Sequence, residues 1–287
     1  LNIHRHPLLG RTFEYFSEDP VVSGKVTASL VNGIQSNGVG ATLKHFAFNN
    51  QETNRGNNDA RMSDRTAREI YLKGFEIAVK ESDPWAIMTS YNRINGPHTA
   101  ESYELLEGIL RGEWNYQGAV MTDWGGGKDA VAMVKAGNDL LMPGNAKQRQ
   151  AIIDAVNNGT LDMADVDRNV KRILQMVEKS PKFHGYQPTN NPDMKAHAEV
   201  ARKSAAEGMV LLKNDGNVLP FGKEISRIAL YGLSSYKFLA VGTGSGSVNC
   251  EYVVNMEDGL TAAGYKIDPA IAAPYRKHVA TIKPRSA

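Results

Sequence analysis

Short apolar runs alternate with segments of helical period in the first part of the chain, and this alternation limits the fold class more than any other feature. The strand candidates are "NIHRHP" (2–7), "ATLKHFAFN" (41–49), "WAIMTSY" (85–91), "GAVMTD" (118–123) and "NDLLMPG" (138–144). Strands that alternate with helices are typical of a parallel sheet whose faces are covered by helices. The sequence therefore predicts an α/β fold.

The clearest helices carry apolar residues at the spacing of one helix face. One is predicted to begin after Asp64 as N-cap, with a buried face of Ile70, Tyr71, Phe75, Ala78 and Val79. Two others are predicted at 103–114 and 162–179. About five strand–helix units fit before residue 180, which is fewer than a complete (β/α)8 barrel contains.

The composition changes after the helix at 162–179. Residues 181–194 are rich in Pro, Asn and Gly and lack periodicity, which indicates a linker. A helix at about 195–209 and the strand candidate "RIALYG" (227–232) follow it. We therefore expect a first domain at 1–180 and the beginning of a second α/β domain at 195–287.

Charge and cysteine content argue against several classes of function. The 287 residues carry a formal net charge of +2, which gives no electrostatic footprint for nucleic acid or an anionic membrane. Cys250 is the single cysteine, so we expect neither an intrachain disulfide nor a cysteine zinc site. No run approaches the ~18 apolar residues of a membrane-spanning helix. The chain opens without Met, and we expect it to be a section of a longer polypeptide.

Polar side chains stand where the predicted strands end. They are Arg11, Lys44, His45, Tyr91, Asn92, Asp123 and Trp124. Parallel α/β folds bind ligands at the carboxyl ends of their strands, so these side chains are candidates for one site. A carboxylate can attack carbon, an indole offers a flat platform for a ring, and cationic side chains can donate to several hydroxyls. The set indicates sugar chemistry more than phosphate chemistry.

Several of these residues also fit purely structural roles. Asp123 is equally suited to be the N-cap of the helix that follows the glycines. Trp124 at a strand end is more often a packing residue, and Arg11 could pair with Glu14 on the surface.

The neighbouring residues Lys44 and His45 present a similar choice. Lys44 is predicted to be buried without an obvious partner, which favours a functional role, whereas His45 alone fits a hydrogen-bonded core histidine. Successive side chains on a strand point to opposite faces. Both can therefore reach one pocket only if the strand ends there or its backbone is irregular.

Five stretches of the sequence resemble the signature stretches of family 3 glycoside hydrolases, specifically of their β-glucosidase branch. They are "GRTFEYFSEDP" (10–20), "KHFAFNNQETNR" (44–55), "MTSYNRINGPH" (88–98), "ILRGEWNYQGAVMTDWGG" (109–126) and "GMVLLKNDGNVLPF" (208–221). The resemblance runs in order over nearly the whole chain. It implies a (β/α)8-type TIM barrel without its N-terminal strands, then the start of an α/β sandwich domain, with the active site between them.

The resemblance also implies roles for individual residues. Asp123 matches the catalytic nucleophile, and Trp124 matches a platform beside the glucose ring. The positions that bind the sugar hydroxyls or form the pocket are matched by Arg11, Lys44, His45, Arg55, Met88, Tyr91 and Ser245. Ser245 lies in "GTGSGSVN", which lacks the spacing of a phosphate-binding glycine loop. The implied substrate is a β-glucoside or cello-oligosaccharide, without cofactor, metal, nucleic-acid partner or membrane, and a homo-oligomer is compatible with it.

The implied reaction is retaining hydrolysis, in which Asp123 forms a glycosyl-enzyme and a second carboxylic acid protonates the leaving oxygen and then activates water. The resemblance locates that acid beyond Ala287, since none of Glu224, Glu251 and Glu257 has the expected sequence context. The alternatives are a β-xylosidase or broad aryl-β-glycosidase, a sugar-binding fragment without hydrolysis, and a glycoside phosphorylase that uses the same nucleophile.

Overall fold

The computed structural model describes residues 1–242 and 244–282, and the chain divides into two compact units, Leu1–Asn190 and Asn191–Ala287. The helices of the first unit are α1 (Pro20–Gln35), α2 (Asp64–Thr66, Ala67–Tyr71 and Lys73–Ser82), α3 (Glu104–Glu113), α4 (Ala130–Lys135), α5 (Ala146–Asn157) and α6 (Met163–Lys179). Its strands are β1 (Thr42–Phe46), β2 (Asp59–Ala60), β3 (Ala86–Thr89), β4 (Arg93–Ile94) and β5 (Ala119–Met121). Short 3-10 turns lie at Pro7–Leu9, Thr12–Glu14 and Thr99–Glu101.

A three-stranded parallel sheet in the order β1-β3-β5 lies at the centre of this unit. Leu43 is paired with Ile87, and Ile87 with Val120, so the buried aliphatic residues stand in register. Leu140 adds a single parallel bridge to Met121. The parallel strands and the helices between them confirm the prediction of an α/β fold.

Aromatic packing joins the sheet to its helices. Phe46, the last residue of β1, is fully buried, and its ring centroid lies 5.1 Å from that of Phe75 on α2 and 5.9 Å from that of Trp114. Both pairs have the edge-to-face geometry that aromatic rings prefer. Helices α1 and α2 approach closely at Gly24, where a Cβ atom would lie 2.9 Å from the Gly74 carbonyl oxygen.

Two details of the predicted helix α2 are wrong. Its N-cap is Ser63 rather than Asp64, because the Ser63 hydroxyl accepts from the Thr66 N–H at 3.2 Å. Ile70 is exposed, whereas Leu72 is buried. The segment Ala67–Tyr71 has π-helical spacing, which adds a residue to the turn and rotates the buried face relative to a regular helix.

The strand predicted at 2–7 is also wrong. The Ile3 carbonyl accepts from the Asn50 side chain at 2.7 Å, and the His4 N–H donates to the Ser17 carbonyl at 3.0 Å. Because these groups bind side chains and a loop instead of a neighbouring strand, the segment forms no ladder. The strand predicted at 138–144 is reduced to the single bridge at Leu140.

The second unit contains α7 (Met194–Gly208), β6 (Arg227–Ile228), α8 (Met256–Ala262), β7 (Lys266–Ile267) and α9 (Pro269–Thr281). Strands β6 and β7 pair in parallel, and Leu230, Tyr236 and Ala272 form a small core. Residues 283–287 of the predicted second domain, and Thr243 in "GTGSG", lie outside the described residues. Over 1–242 and 244–282, no helix has the length and apolar character needed to cross a membrane.

Replacing Phe46 with Ala should destabilise the first unit by about 3–5 kcal/mol, because it leaves a cavity between Phe75 and Trp114. Urea unfolding followed by tryptophan fluorescence measures this, since all three Trp residues of the chain lie in this unit. Phe183→Ala, at an exposed position, is the control and should change stability by less than about 0.5 kcal/mol. Equal urea midpoints for the two variants would contradict the proposed importance of this contact.

Candidate active site

The carboxyl ends of β1, β3 and β5 bring polar side chains to one edge of the sheet. His45 lies within β1, Tyr91 follows β3 by two residues, and Asp123 follows β5 by two residues. Parallel strands end on the same side, so residues that are distant in sequence become neighbours there. This edge is the candidate active site.

Asp123 sits in a tight turn directly after β5. Its Oδ1 accepts from the backbone N–H of Trp124 at 2.7 Å, and its carbonyl accepts from the backbone N–H of Gly126 at 2.9 Å. Gly125 has a φ of +73°, a left-handed conformation that glycine adopts without steric cost. Helix α4 is capped by Asp129, so the interpretation of Asp123 as its N-cap is wrong. The Asp123 carboxylate is left facing the site.

Tyr91 holds the backbone of the same turn, and Arg55 lies over the Tyr91 ring. The Tyr91 hydroxyl donates to the Trp124 carbonyl at 2.8 Å, and the Arg55 guanidinium lies 4.4 Å from the Tyr91 ring centroid. Burial and the negative charge of Asp123 raise the pKa of Tyr91 to about 12, so the phenol keeps its proton at neutral pH. The Trp124 side chain is 64% exposed, and its interpretation as a packing residue is wrong.

Two arginines and two glutamates alternate beside this turn. Arg11 forms an ion pair with Glu14, and its Nη1 lies 3.9 Å from Glu52 Oε1. Arg55 Nη1 lies 2.6 Å from Glu52 Oε2. The Arg11 and Glu14 side chains are largely buried, so this is not the surface pair that the sequence also allowed.

His45 is buried between this charged group and Asp123. Its Nε2 lies 3.5 Å from Asp123 Oδ2 and 3.3 Å from Arg11 Nη2, and its Nδ1 lies 3.2 Å from the Tyr15 hydroxyl. Burial, together with the positive charges of Arg11 and Lys44, lowers the pKa of His45 to about 2. The imidazole is therefore neutral at neutral pH.

Two family models match the chain, namely the glycosyl hydrolase family 3 N terminal domain over residues 1–176 and the glycosyl hydrolase family 3 C-terminal domain over residues 209–283. The chain belongs to glycoside hydrolase family 3. The resemblance found in the sequence is thus confirmed.

Proteins that are similar to this chain carry glycosidase names. β-Glucosidase B of Emericella nidulans is 44% identical over 271 residues, and exo-α-(1→6)-L-arabinopyranosidase of Bifidobacterium longum is 41% identical over 276 residues. These alignments cover 91% and 93% of this chain but only 32% and 36% of the two relatives. The chain therefore spans about a third of the length of these curated relatives.

A solved structure is also similar to this chain. β-Glucosidase 3B from Thermotoga neapolitana, in complex with α-D-glucose, aligns with a TM-score of 0.92 at 42% sequence identity. The alignment covers 100% of this chain and 42% of that chain.

Three further residues suggested by the family 3 resemblance, Lys44, Met88 and Ser245, lie in different parts of the structure. Lys44 is exposed, which contradicts its predicted burial, because it shares with Thr42 the side of β1 opposite the buried Leu43. The backbone is irregular at this point, with a register shift between Leu43 and Phe46. Met88 is partly buried on β3 beside Met121. Ser245 lies in the turn Gly244–Gly246 of the second unit, and its part in the site remains a prediction.

Sequence reasoning missed the polar residues behind His45. Tyr15, Asn49, Glu52 and Asn2 are all within hydrogen-bond reach of one another or of His45. The pair Glu52–Arg55 has the spacing i, i+3 and could have been noticed as a charged pair, whereas Asn2 and Tyr15 carry no local signal. Over residues 1–242 and 244–282, no group of three or more His, Cys, Asp or Glu is arranged to hold a metal ion.

The lowered pKa of His45 predicts how stability depends on pH. Between pH 6.5 and pH 2 the unfolded chain binds a proton at His45 but the folded chain does not, so stability falls as the pH falls. The loss from this group approaches about 1.4 kcal/mol per pH unit below 6.5. Measuring the melting temperature from pH 7 to pH 4, we expect a shallower decrease for His45→Gln than for the wild type.

His184→Gln is the matched control, because His184 is exposed and lies in a turn. It should keep the wild-type slope. If the melting temperature of His45→Gln depended on pH as steeply as that of the wild type, the pKa of His45 would not be lowered in the folded chain.

Proposed function

We propose that this family 3 chain is the part of a retaining, exo-acting β-glycosidase that carries the nucleophile, and that the enzyme is a β-glucosidase. The observation that carries the proposal is the position of Asp123, whose Oδ1 is held by the Trp124 N–H while Oδ2 faces His45. The similarity to β-glucosidase B and to β-glucosidase 3B supports the choice of glucoside as substrate.

In the proposed reaction, an Asp123 oxygen attacks the anomeric carbon and forms a glycosyl-enzyme ester. The bond from that carbon to the leaving oxygen breaks, and this oxygen takes a proton from a second carboxylic acid. Water, deprotonated by the same group, then attacks the anomeric carbon and releases Asp123. Two inversions at one carbon retain the β configuration.

The neighbouring residues would bind the sugar and hold the nucleophile. The exposed Trp124 indole offers its face to the sugar ring, and Arg11, Lys44 and His45 donate to hydroxyl groups. Tyr91 remains a neutral phenol, so it adds no negative charge beside Asp123. Arg55 and Met88 would support the pocket wall, and the family resemblance assigns Ser245 to the binding of the sugar.

The acid must be a different carboxyl group from those already paired. Glu14 and Glu52 are close to His45 or Arg11, and both are held in ion pairs with arginine. The family resemblance implies that the acid lies in another part of the full polypeptide, and we adopt that assignment. The two carboxyl groups should lie about 5–5.5 Å apart, as in retaining enzymes.

We also propose the architecture that the family resemblance implies. Residues 1–180 would contribute strands and helices to a TIM barrel, 181–194 would be a linker, and 195–287 would begin an α/β sandwich. The parallel order β1-β3-β5 and the TM-score of 0.92 support this assignment.

A second substrate class follows from the relative named as an exo-α-(1→6)-L-arabinopyranosidase. L-Arabinopyranose and D-xylopyranose both lack the hydroxymethyl group of glucose, so either could occupy a pocket that makes no contact to that group. Initial rates on nitrophenyl β-glucoside, β-xyloside and α-L-arabinopyranoside distinguish the three. The highest kcat/KM on the glucoside is expected, and phosphate-dependent release of a sugar phosphate would favour a phosphorylase instead.

Asp123→Asn should reduce kcat/KM on the aryl glucoside by on the order of 10⁴-fold, because the amide is a poor nucleophile. A 2-deoxy-2-fluoroglucosyl fluoride should label the wild type, and peptide mass mapping should place the sugar on Asp123. The control is Asp154→Asn, which makes the same exchange at an exposed position on α5 and should retain activity. A label on Glu14 or Glu52 would overturn the assignment of the nucleophile.

A further inference from the structure

The Tyr15 hydroxyl lies at the centre of a buried polar cluster behind His45. Three nitrogen atoms are within hydrogen-bond reach of it, namely Asn2 Nδ2 at 3.3 Å, Asn49 Nδ2 at 3.2 Å and His45 Nδ1 at 3.2 Å. All four side chains are buried. Water therefore cannot easily replace a missing partner, and the position of each proton matters energetically.

The orientation of the Asn2 amide follows from its other partners. Its Oδ1 accepts from the Asn49 backbone N–H at 3.2 Å, and a backbone N–H can only donate. Its Nδ2 also donates to the His45 carbonyl at 3.0 Å. The Asn2 Nδ2 group therefore donates to the Tyr15 oxygen.

The Asn49 amide is oriented by a carboxylate. Its Nδ2 lies 3.0 Å from Glu52 Oε1, and an ionised carboxylate can only accept. The second N–H of the same group therefore also donates to the Tyr15 oxygen, at 3.2 Å.

The Tyr15 hydroxyl thus accepts two hydrogen bonds and has one proton left to donate. Burial raises the pKa of Tyr15, so this proton is present at neutral pH. The remaining partner is His45 Nδ1, which must then be an acceptor. A neutral imidazole that accepts at Nδ1 carries its proton at Nε2.

We propose that Tyr15 is a positioning residue that holds the ring proton of His45 on Nε2, the nitrogen that faces Asp123. Asp123 Oδ2 lies 3.5 Å from this nitrogen, so the Nε2 proton is available to the nucleophile or to a sugar hydroxyl beside it. Arg11 Nη2, 3.3 Å from Nε2, can only donate, so this tautomer forgoes a hydrogen bond from Arg11 and leaves the Nε2 proton to Asp123 or a sugar hydroxyl. The inference rests on the proposed function in so far as it concerns catalysis.

The opposite tautomer is disfavoured by the same contacts. A proton on Nδ1 would direct three donors at the Tyr15 oxygen, which has two lone pairs. It would also set the Nε2 lone pair against the Asp123 carboxylate. Its gains are a hydrogen bond from Arg11 to Nε2 and an approach of Nδ1–H to Glu14 Oε1, which is 3.8 Å from Nδ1.

The tautomer can be read directly by NMR of the intact protein labelled with ¹⁵N-histidine. Protonated and unprotonated ring nitrogens have well-separated ¹⁵N shifts, and the signals of His45 are those lost in His45→Gln. We expect Nε2–H in the wild type, and a population of Nδ1–H in Tyr15→Phe, which has lost the donor to Nδ1. Wild-type protein with its proton on Nδ1 would overturn the inference without any variant.

Activity supplies a second and separate measurement. Tyr15→Phe should lower kcat/KM on the aryl glycoside by roughly 10–100-fold, the effect of losing one buried hydrogen bond. The control is Tyr116→Phe, since Tyr116 is buried too but donates to the Ala119 carbonyl at 3.2 Å. It should keep both the tautomer and the activity of the wild type.

The two measurements separate the possible failures. An active enzyme whose tautomer and activity are unchanged in Tyr15→Phe would refute the role of Tyr15 and leave the proposed function intact. A full polypeptide with Nε2–H at His45 but no activity on any of the three glycosides would refute the proposed function, while the tautomer assignment would stand.

Discussion

Parallel pairing of β1, β3 and β5 is the constraint on which the candidate site depends. Leu43, Ile87 and Val120 pair in register beneath the helices, so burial of these residues sets the alignment of all three strands. A shift of one residue would turn each buried side chain to the other face. The same alignment brings His45 and Asp123 to one edge, and the stability of the sheet and the geometry of the site therefore share one cause.

The candidate site also depends on the balance of charges around the buried imidazole of His45. His45 lies between the cation of Arg11 and the carboxylate of Asp123, and burial favours its neutral form. Arg11 and Arg55 are in turn paired with Glu14 and Glu52, so the positive charge beside the site is balanced. A neutral histidine can act as a directional donor, and the polar cluster behind it determines the direction.

The success of sequence reasoning followed the strength of local signals. The strands near 41–49, 85–91 and 118–123 were predictable because short apolar runs bounded by turn residues are typical of buried strands. The segment 2–7 carries a similar pattern, but its carbonyl and N–H groups bind Asn50 and Ser17, which no local pattern reveals. The π-helical turn in α2 likewise leaves Ile70 exposed and Leu72 buried, whereas the rest of the expected face, from Phe75 onward, is buried as predicted.

The sequence by itself determined the α/β class and the family. It also identified Asp123, His45, Arg11 and Tyr91 as candidate active-site residues, because all of these depend on local patterns and sequence motifs. Only the tertiary structure decided that Lys44 is exposed and that Tyr15 contacts His45. Those facts depend on contacts between residues distant along the chain. Such contacts arise from the packing of whole elements, and no short stretch of sequence specifies them.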